Sequence, residues 1–156
     1  MNDHFHLIGN PSYDTQIFRG NAASTLTNWQ TWRKPRGCKM VYIIAVGGGS
    51  SGGCGLNSGT TSGGGAGGGS GAQTTVLIPA MAIPDELFIQ AGQGGKQPSA
   101  LVSAARGVAG VITYVQLEPV SAVAGAVCLA FASAGAITGT AATTTNGVQV
   151  SCAIVM

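Results

Sequence analysis

Residues 40–78 read MVYIIAV, then GGGSSGGCGLNSGTTSGGGAGGGSG, then AQTTVLI, and this succession of apolar run, glycine block and second run decides the fold class. Met40–Val46 is a short β-branched and aromatic run closed by glycine, which is the composition of a buried strand. Gln73–Ile78 is a second such run, stopped by Pro79. Between them, 14 of the 25 residues from Gly47 to Gly71 are glycine, a density that no helix tolerates. Glycine- and serine-rich segments usually act as flexible linkers. Here strands flank the block on both sides, and a structureless loop of that length is uncommon within one small domain. Glycine also lets backbones approach closely, and glycine runs pack as extended left-handed helices of the polyproline-II kind. The block therefore reads as an ordered or part-ordered tip between two strands of one domain.

The alternation of short runs and turns continues downstream. Ile83-Pro84-Asp85 forms a turn, Glu86–Gln90 is a strand, and Gly92-Gln-Gly-Gly95 closes it. Ala100–Ser103 and Val111–Val115 repeat the pattern. Val127, Leu129 and Phe131 then alternate with smaller residues, as do Val148, Val150, Cys152, Ile154 and Met156. Period two places one face of each strand against a core. Strands of this length between glycine and proline turns predict an all-β chain, a β-sandwich or jelly-roll-like domain with a glycine-rich excursion. Residues 1–36, mixed polar with Asn10-Pro11 and Gly20-Asn21, are expected to form an N-terminal extended attachment segment. Residues 37–156 are expected to form the β-domain, with its glycine-rich loop at 47–71.

Composition narrows the functional classes. Of 156 residues, 26 are glycine, 45% are hydrophobic and only 8% are charged. Disordered chains have the reverse balance, and collagen needs glycine at every third position with far more than 6 prolines. A net charge of +2 is too small for a protein that must neutralise many phosphates, so no nucleic-acid partner is expected. From Met40 onward only Asp85, Glu86, Lys96, Arg106 and Glu118 carry charge. So neutral a surface favours association, and an oligomer is expected. The 18 uncharged residues from Val120 to Ile137 reach the length of a membrane span, but only six are Val, Leu, Ile or Phe, so no span is expected. The opening Met-Asn-Asp-His lacks the basic and apolar regions of a signal peptide.

Catalytic chemistry finds little support. Gly47-Gly48-Gly49-Ser50-Ser51-Gly52 satisfies the dinucleotide-binding spacing, yet no helix follows to face a pyrophosphate and the next acidic residue is Asp85. There is no P-loop lysine. No enzyme activity and no cofactor are expected. His4 and His6 would share one face of a strand, and in a trimer six imidazoles would surround an axis, making them weak metal candidates against a solvated terminus. The cysteines at 38, 54, 128 and 152 lack the close pairing that zinc requires. Cys128 and Cys152 read as small buried hydrophobes, and Cys54, in the glycine block, as the one candidate for a reactive thiol. Trp29 and Trp32, beside Arg33, Lys34 and Arg36, are expected to pack over the sheet or a neighbouring subunit. With Ser50, Cys54, Asn57, Gly64, Gly68 and Gln93 they make up the candidate interaction surface, since loops on a rigid scaffold are the usual site of recognition.

A turn at Trp32–Gly37, the strand Val41–Val46, the block Gly47–Gly71, the ending Ile78-Pro79, the strand within Ile83–Ile89 and Gly92-Gln-Gly-Gly95 occur in order. Over roughly residues 29 to 116 this order resembles the glycine-rich β-domain of bacteriophage virion proteins, among them tail-fibre and receptor-binding parts. The resemblance implies a homotrimer exposed on the virion, glycine-rich loops at an outer surface, and no catalytic residues. The chain lacks the long shaft of a typical fibre, which favours a small protein attached to the capsid or to a tail component. The expected function is that of a phage structural protein made in the host cytoplasm and carried on the virion as a decoration, head-fibre or tail-associated subunit beside other virion proteins. One alternative is a receptor-binding tip that contacts a host cell-surface glycan or protein. A weaker one is a major coat protein, for which the basic arm is only faint.

Overall fold

The computed structural model describes residues 4–5, 14–22, 24, 28–57, 62–96, 105–120 and 128–136. Among them the chain is all-β, with ten strands and a single 3-10 turn at Ala80–Ala82. In chain order the strands are β1 (His4–Phe5), β2 (Thr15–Gln16), β3 (Gln30–Arg33), β4 (Met40–Val46), β5 (Leu56–Asn57), β6 (Ser62–Gly63), β7 (Gln73–Pro79), β8 (Glu86–Gln90), β9 (Thr113–Gln116) and β10 (Cys128–Ala132). Every strand pair is antiparallel.

Two layers carry the core. The first is a four-stranded sheet in the order β10-β9-β8-β3, and the second is the β4-β7 ribbon. Alternation along the ribbon turns Val41, Ile43, Val76 and Ile78 inward. There they meet Trp32, Leu87, Ile89, Val115 and Ala130 of the sheet, with Ile83 from the connecting turn. Leu87 is fully buried, which by transfer alone stabilises the fold by about 1.5–3 kcal/mol. The ribbon pairs without a break from Met40↔Pro79 to Val46↔Gln73. The two ends of the glycine excursion therefore leave the sandwich side by side.

Lys34 fixes the turn between β7 and β8. Its ammonium donates to Ala80 O (3.1 Å) and Ile83 O (2.9 Å) and pairs with Asp85 Oδ1 at 2.9 Å. Its backbone N–H donates to Asp85 O as well. Next to it, Arg33 pairs with Glu86 across exposed surface, a contact worth little by itself.

β4 and β8 have the bounds that their sequence predicts, and β7 runs one residue further. β9 starts two residues later than the apolar run 111–115, because Val111 pairs with the glycine segments instead of with the sheet. β10 lies inside the uncharged stretch 120–137, and among the described residues no helix is long and apolar enough to cross a membrane. β3 belongs to the four-stranded sheet, and Ala22 bridges to Gly92, so parts of residues 1–36 are bound into the β-domain. The runs 100–103 and 148–156 lie outside the described residues.

Candidate functional site in the glycine layer

Beyond the strand ends the chain continues as five extended stretches: 47–55 out of β4, 63–72 into β7, 91–95 out of β8, 105–112 into β9 and 133–135 out of β10. Stretch 47–55 is the hub. The amides of Gly47, Ser50 and Gly53 donate to Ala72 O, Gly69 O and Ala66 O at 2.9, 2.8 and 2.9 Å. The amides of Gly48, Ser51 and Cys54 donate to Val111 O, Val108 O and Ala105 O at 3.0, 2.9 and 2.8 Å. Gly49 O and Gly48 O accept from Gly95 N (2.7 Å) and Gly135 N (2.8 Å). Both donor series advance by three residues while their acceptors recede by three. That is the repeat of a polyproline-II helix, three residues per turn, with its backbone groups directed to surrounding helices instead of to water.

This arrangement excludes side chains on the inward positions. A Cβ on Gly65, Gly68 or Gly71 would fall against Gly53 O, Ser50 O and Gly47 O in turn. The same holds for Gly92 and Gly95 against Val111 O and Val108 O, and for Gly107 and Gly110 against Ser51 O and Gly48 O. Glycine is required at every third position for the reason it is required in collagen, close packing of backbones. Outward positions are free of that demand: a Cβ on Gly64 or Gly67 meets nothing within 4 Å. At 3.1 Å per residue the layer reaches roughly 25 Å beyond β4.

Polar side chains fasten the layer to the sandwich. Thr113 Oγ1 donates to Val46 O (2.6 Å) and accepts from Gly92 N (3.1 Å), joining three segments where strands pass into glycine. Gln90 Nε2 donates to Ile112 O at 2.8 Å, and Thr74 Oγ1 donates to Phe131 O at 2.7 Å. Asn21 N and Gln93 N bond to Ala91 O and Ala22 O, which closes residues 20–22 over the edge of the layer. Sequence reading does not single out Thr113, Gln90 or Thr74; of the three only Gln90, a buried polar residue closing an apolar run before Ala91-Gly92, leaves a signal.

The sequence-derived candidates separate into groups. Ser50 Oγ accepts from Gly69 N at 2.6 Å, so this side chain braces the layer from within. Gly68 faces Ser50 O, and Cys54 pairs through its amide with Ala105 O. Gly64 is on the open surface, and Asn57 lies in β5 paired with Ser62 at the far end of the layer. Gln93 sits near the sandwich, with its amide side chain donating to Gly20 O at 3.4 Å. Trp32 packs on the core and Trp29 is half-buried. His4 lies in β1, while His6 and Cys152 lie outside the described residues. Among the described residues no three His, Cys, Asp or Glu side chains come together as a metal group.

The Glycine-rich domain family model matches residues 24–153, most of the chain. The chain belongs to this family. Neither the curated proteins nor the solved structures yield a match. In this glycine-rich domain the glycine block is a hydrogen-bonded layer whose described surface is made largely of backbone and small side chains.

Proposed function

We propose that this glycine-rich domain is an oligomeric structural subunit, a homotrimer, exposed on a bacteriophage particle as a decoration, head-fibre or tail-associated component. The reading is mechanical, not catalytic. The observation that carries it is the glycine layer: a projection of about 25 Å, stiffened by inter-segment backbone hydrogen bonds and built almost without reactive or charged side chains. Such a surface suits a permanent outer part better than a site of chemistry. Its resemblance to phage virion domains supports that location. Mass spectrometry of purified, protease-washed particles is expected to detect the protein at a fixed copy number. Its absence from particles would overturn the reading. Hundreds of copies would indicate the shell, and a few to tens the tail.

A second reading, a receptor-binding tip, draws on the direction of the layer. Asn57, Ser62 and Ala105 lie at the end remote from the sandwich, beside Cys54 and Gly55, with Lys96 next to the stretch that reaches outward. Residues held at such a tip are well placed to meet a cell-surface glycan or protein. Particles carrying Asn57→Ala with Lys96→Ala should then incorporate the protein normally and adsorb to cells at least tenfold more slowly. Unchanged adsorption would remove this second reading and leave the first.

A further inference from the structure

The ribbon's outer face offers a surface that neither the core nor the glycine layer uses. Alternation along β4 turns Met40, Tyr42, Ile44 and Val46 outward in one row, and the register sets Pro79, Leu77, Thr75 and Gln73 beside them. Met40, Tyr42, Ile44, Val46 and Leu77 are each between 50% and 63% exposed. From those fractions the five side chains present on the order of 500 Å² of apolar surface, at the upper end of what a monomer leaves open. Gln73, Thr75 and Pro79 are exposed on the same face. With them the face approaches the roughly 800 Å² per partner of a standard stable interface.

We propose that this face packs against the same face of the other copies of the chain around the threefold axis of the homotrimer, each ribbon meeting the flank of the next. A self-contact sets like against like, so any charge on it would oppose its own kind. None of the eight residues is charged, and the nearest charge in sequence is Lys39, one position before the face begins. Tyr42 stands mid-row as an aromatic anchor whose hydroxyl needs a polar partner once buried. Thr75 and Gln73 of the opposing copy supply one. The proposal rests on the oligomeric part of the functional reading and not on its location in a virion.

Sedimentation velocity of the full chain at micromolar concentration tests it, alongside Tyr42→Lys with Ile44→Lys. Both side chains point away from the core, so far-UV circular dichroism and the unfolding midpoint should stay as in the parent. The parent is expected to sediment as an oligomer and the double variant as the 15.4 kDa monomer. Should the lysines disturb folding, Tyr42→Ser with Leu77→Thr keeps strand-compatible residues and should weaken association at least tenfold. A parent oligomer whose mass survives both variants would place the contact elsewhere and overturn the proposal while sparing the oligomeric reading. A monomeric parent would overturn both, as would a monomer that floats with phosphatidylglycerol vesicles through this face.

Discussion

Gly64 and Gly68 are four residues apart in the same glycine run, and they make opposite demands on a side chain. Gly68 points at Ser50 O within the layer, whereas Gly64 points into open space. Neither has the positive φ that Gly37 shows at 76°, so an alanine is conformationally acceptable at both. Gly68→Ala should cost about 2–3 kcal/mol, because backbone must move to admit the methyl. Gly64→Ala should leave stability unchanged or raise it by about 0.5 kcal/mol by restricting the unfolded chain. Urea denaturation of the two variants checks the contrast, and equal effects would mean that the layer is not packed as described. Gln116 makes a different point. It is fully buried, and among the described residues neither its Nε2 nor its Oε1 has a hydrogen-bond partner, unlike Gln90, whose amide reaches Ile112 O. Leaving such a group unpaired costs more than omitting it. Gln116→Leu is therefore expected to raise the unfolding free energy by about 1 kcal/mol, read as a higher denaturation midpoint.

At the scale of elements, β9 is buried at every position, between β8 and the edge strand β10 of the sheet. Tyr114 and Cys128 sit on its outer face, with the Tyr114 and Phe131 rings 6.5 Å apart. Burial, with a smaller contribution from Cys128, raises the Tyr114 phenol above its ordinary value, and burial raises the Cys128 thiol. As pH rises, the unfolded chain loses these protons first, so it binds fewer protons than the folded one and stability falls. The contribution is whole below roughly pH 8.5, where a free thiol begins to ionise, and drains away as pH climbs through the raised values. Denaturation midpoints at neutral pH and at pH near 10 should show the loss, and Cys128→Ala with Tyr114→Phe should flatten it. An unchanged alkaline slope in that double variant would contradict the assignment. The strands themselves differ in how plainly the sequence announces them. β4 and β8 are legible because β-branched and aromatic residues recur between turn signals. β3, QTWR, is not: it is an edge strand whose outer face is polar, so Trp32 is its one core-facing clue. The start of β9 is obscured because Val111 and Ile112 look like strand residues but are spent on the glycine layer and on Gln90.

For the molecule as a whole, the decisive feature is cooperation among segments far apart in sequence. A glycine run announces close backbone approach, but not which backbones approach it. Here 47–55 finds partners up to 87 positions away, as Gly135 N to Gly48 O shows, and no local pattern carries that information. The register of the layer can nevertheless be read out in solution. Amides of Gly47, Gly48, Ser50, Ser51, Gly53 and Cys54 donate to neighbouring stretches, while those of Gly49 and Gly52 have no acceptor among the described residues. Backbone amides open to solvent exchange quickly, and those in a cooperative unit exchange only when the unit opens. Hydrogen exchange followed by NMR should therefore show two protected amides and one fast one, repeated with period three from Gly47 to Cys54. A flexible linker would exchange fast throughout, and a β-strand would show period two. Gly68→Ala, placed against the hub at Ser50, should speed exchange at Ser50 and Ser51 before it affects β4. Uniform exchange along 47–54 in the parent protein would dismiss the layer, and with it the stiff projection on which the functional reading depends.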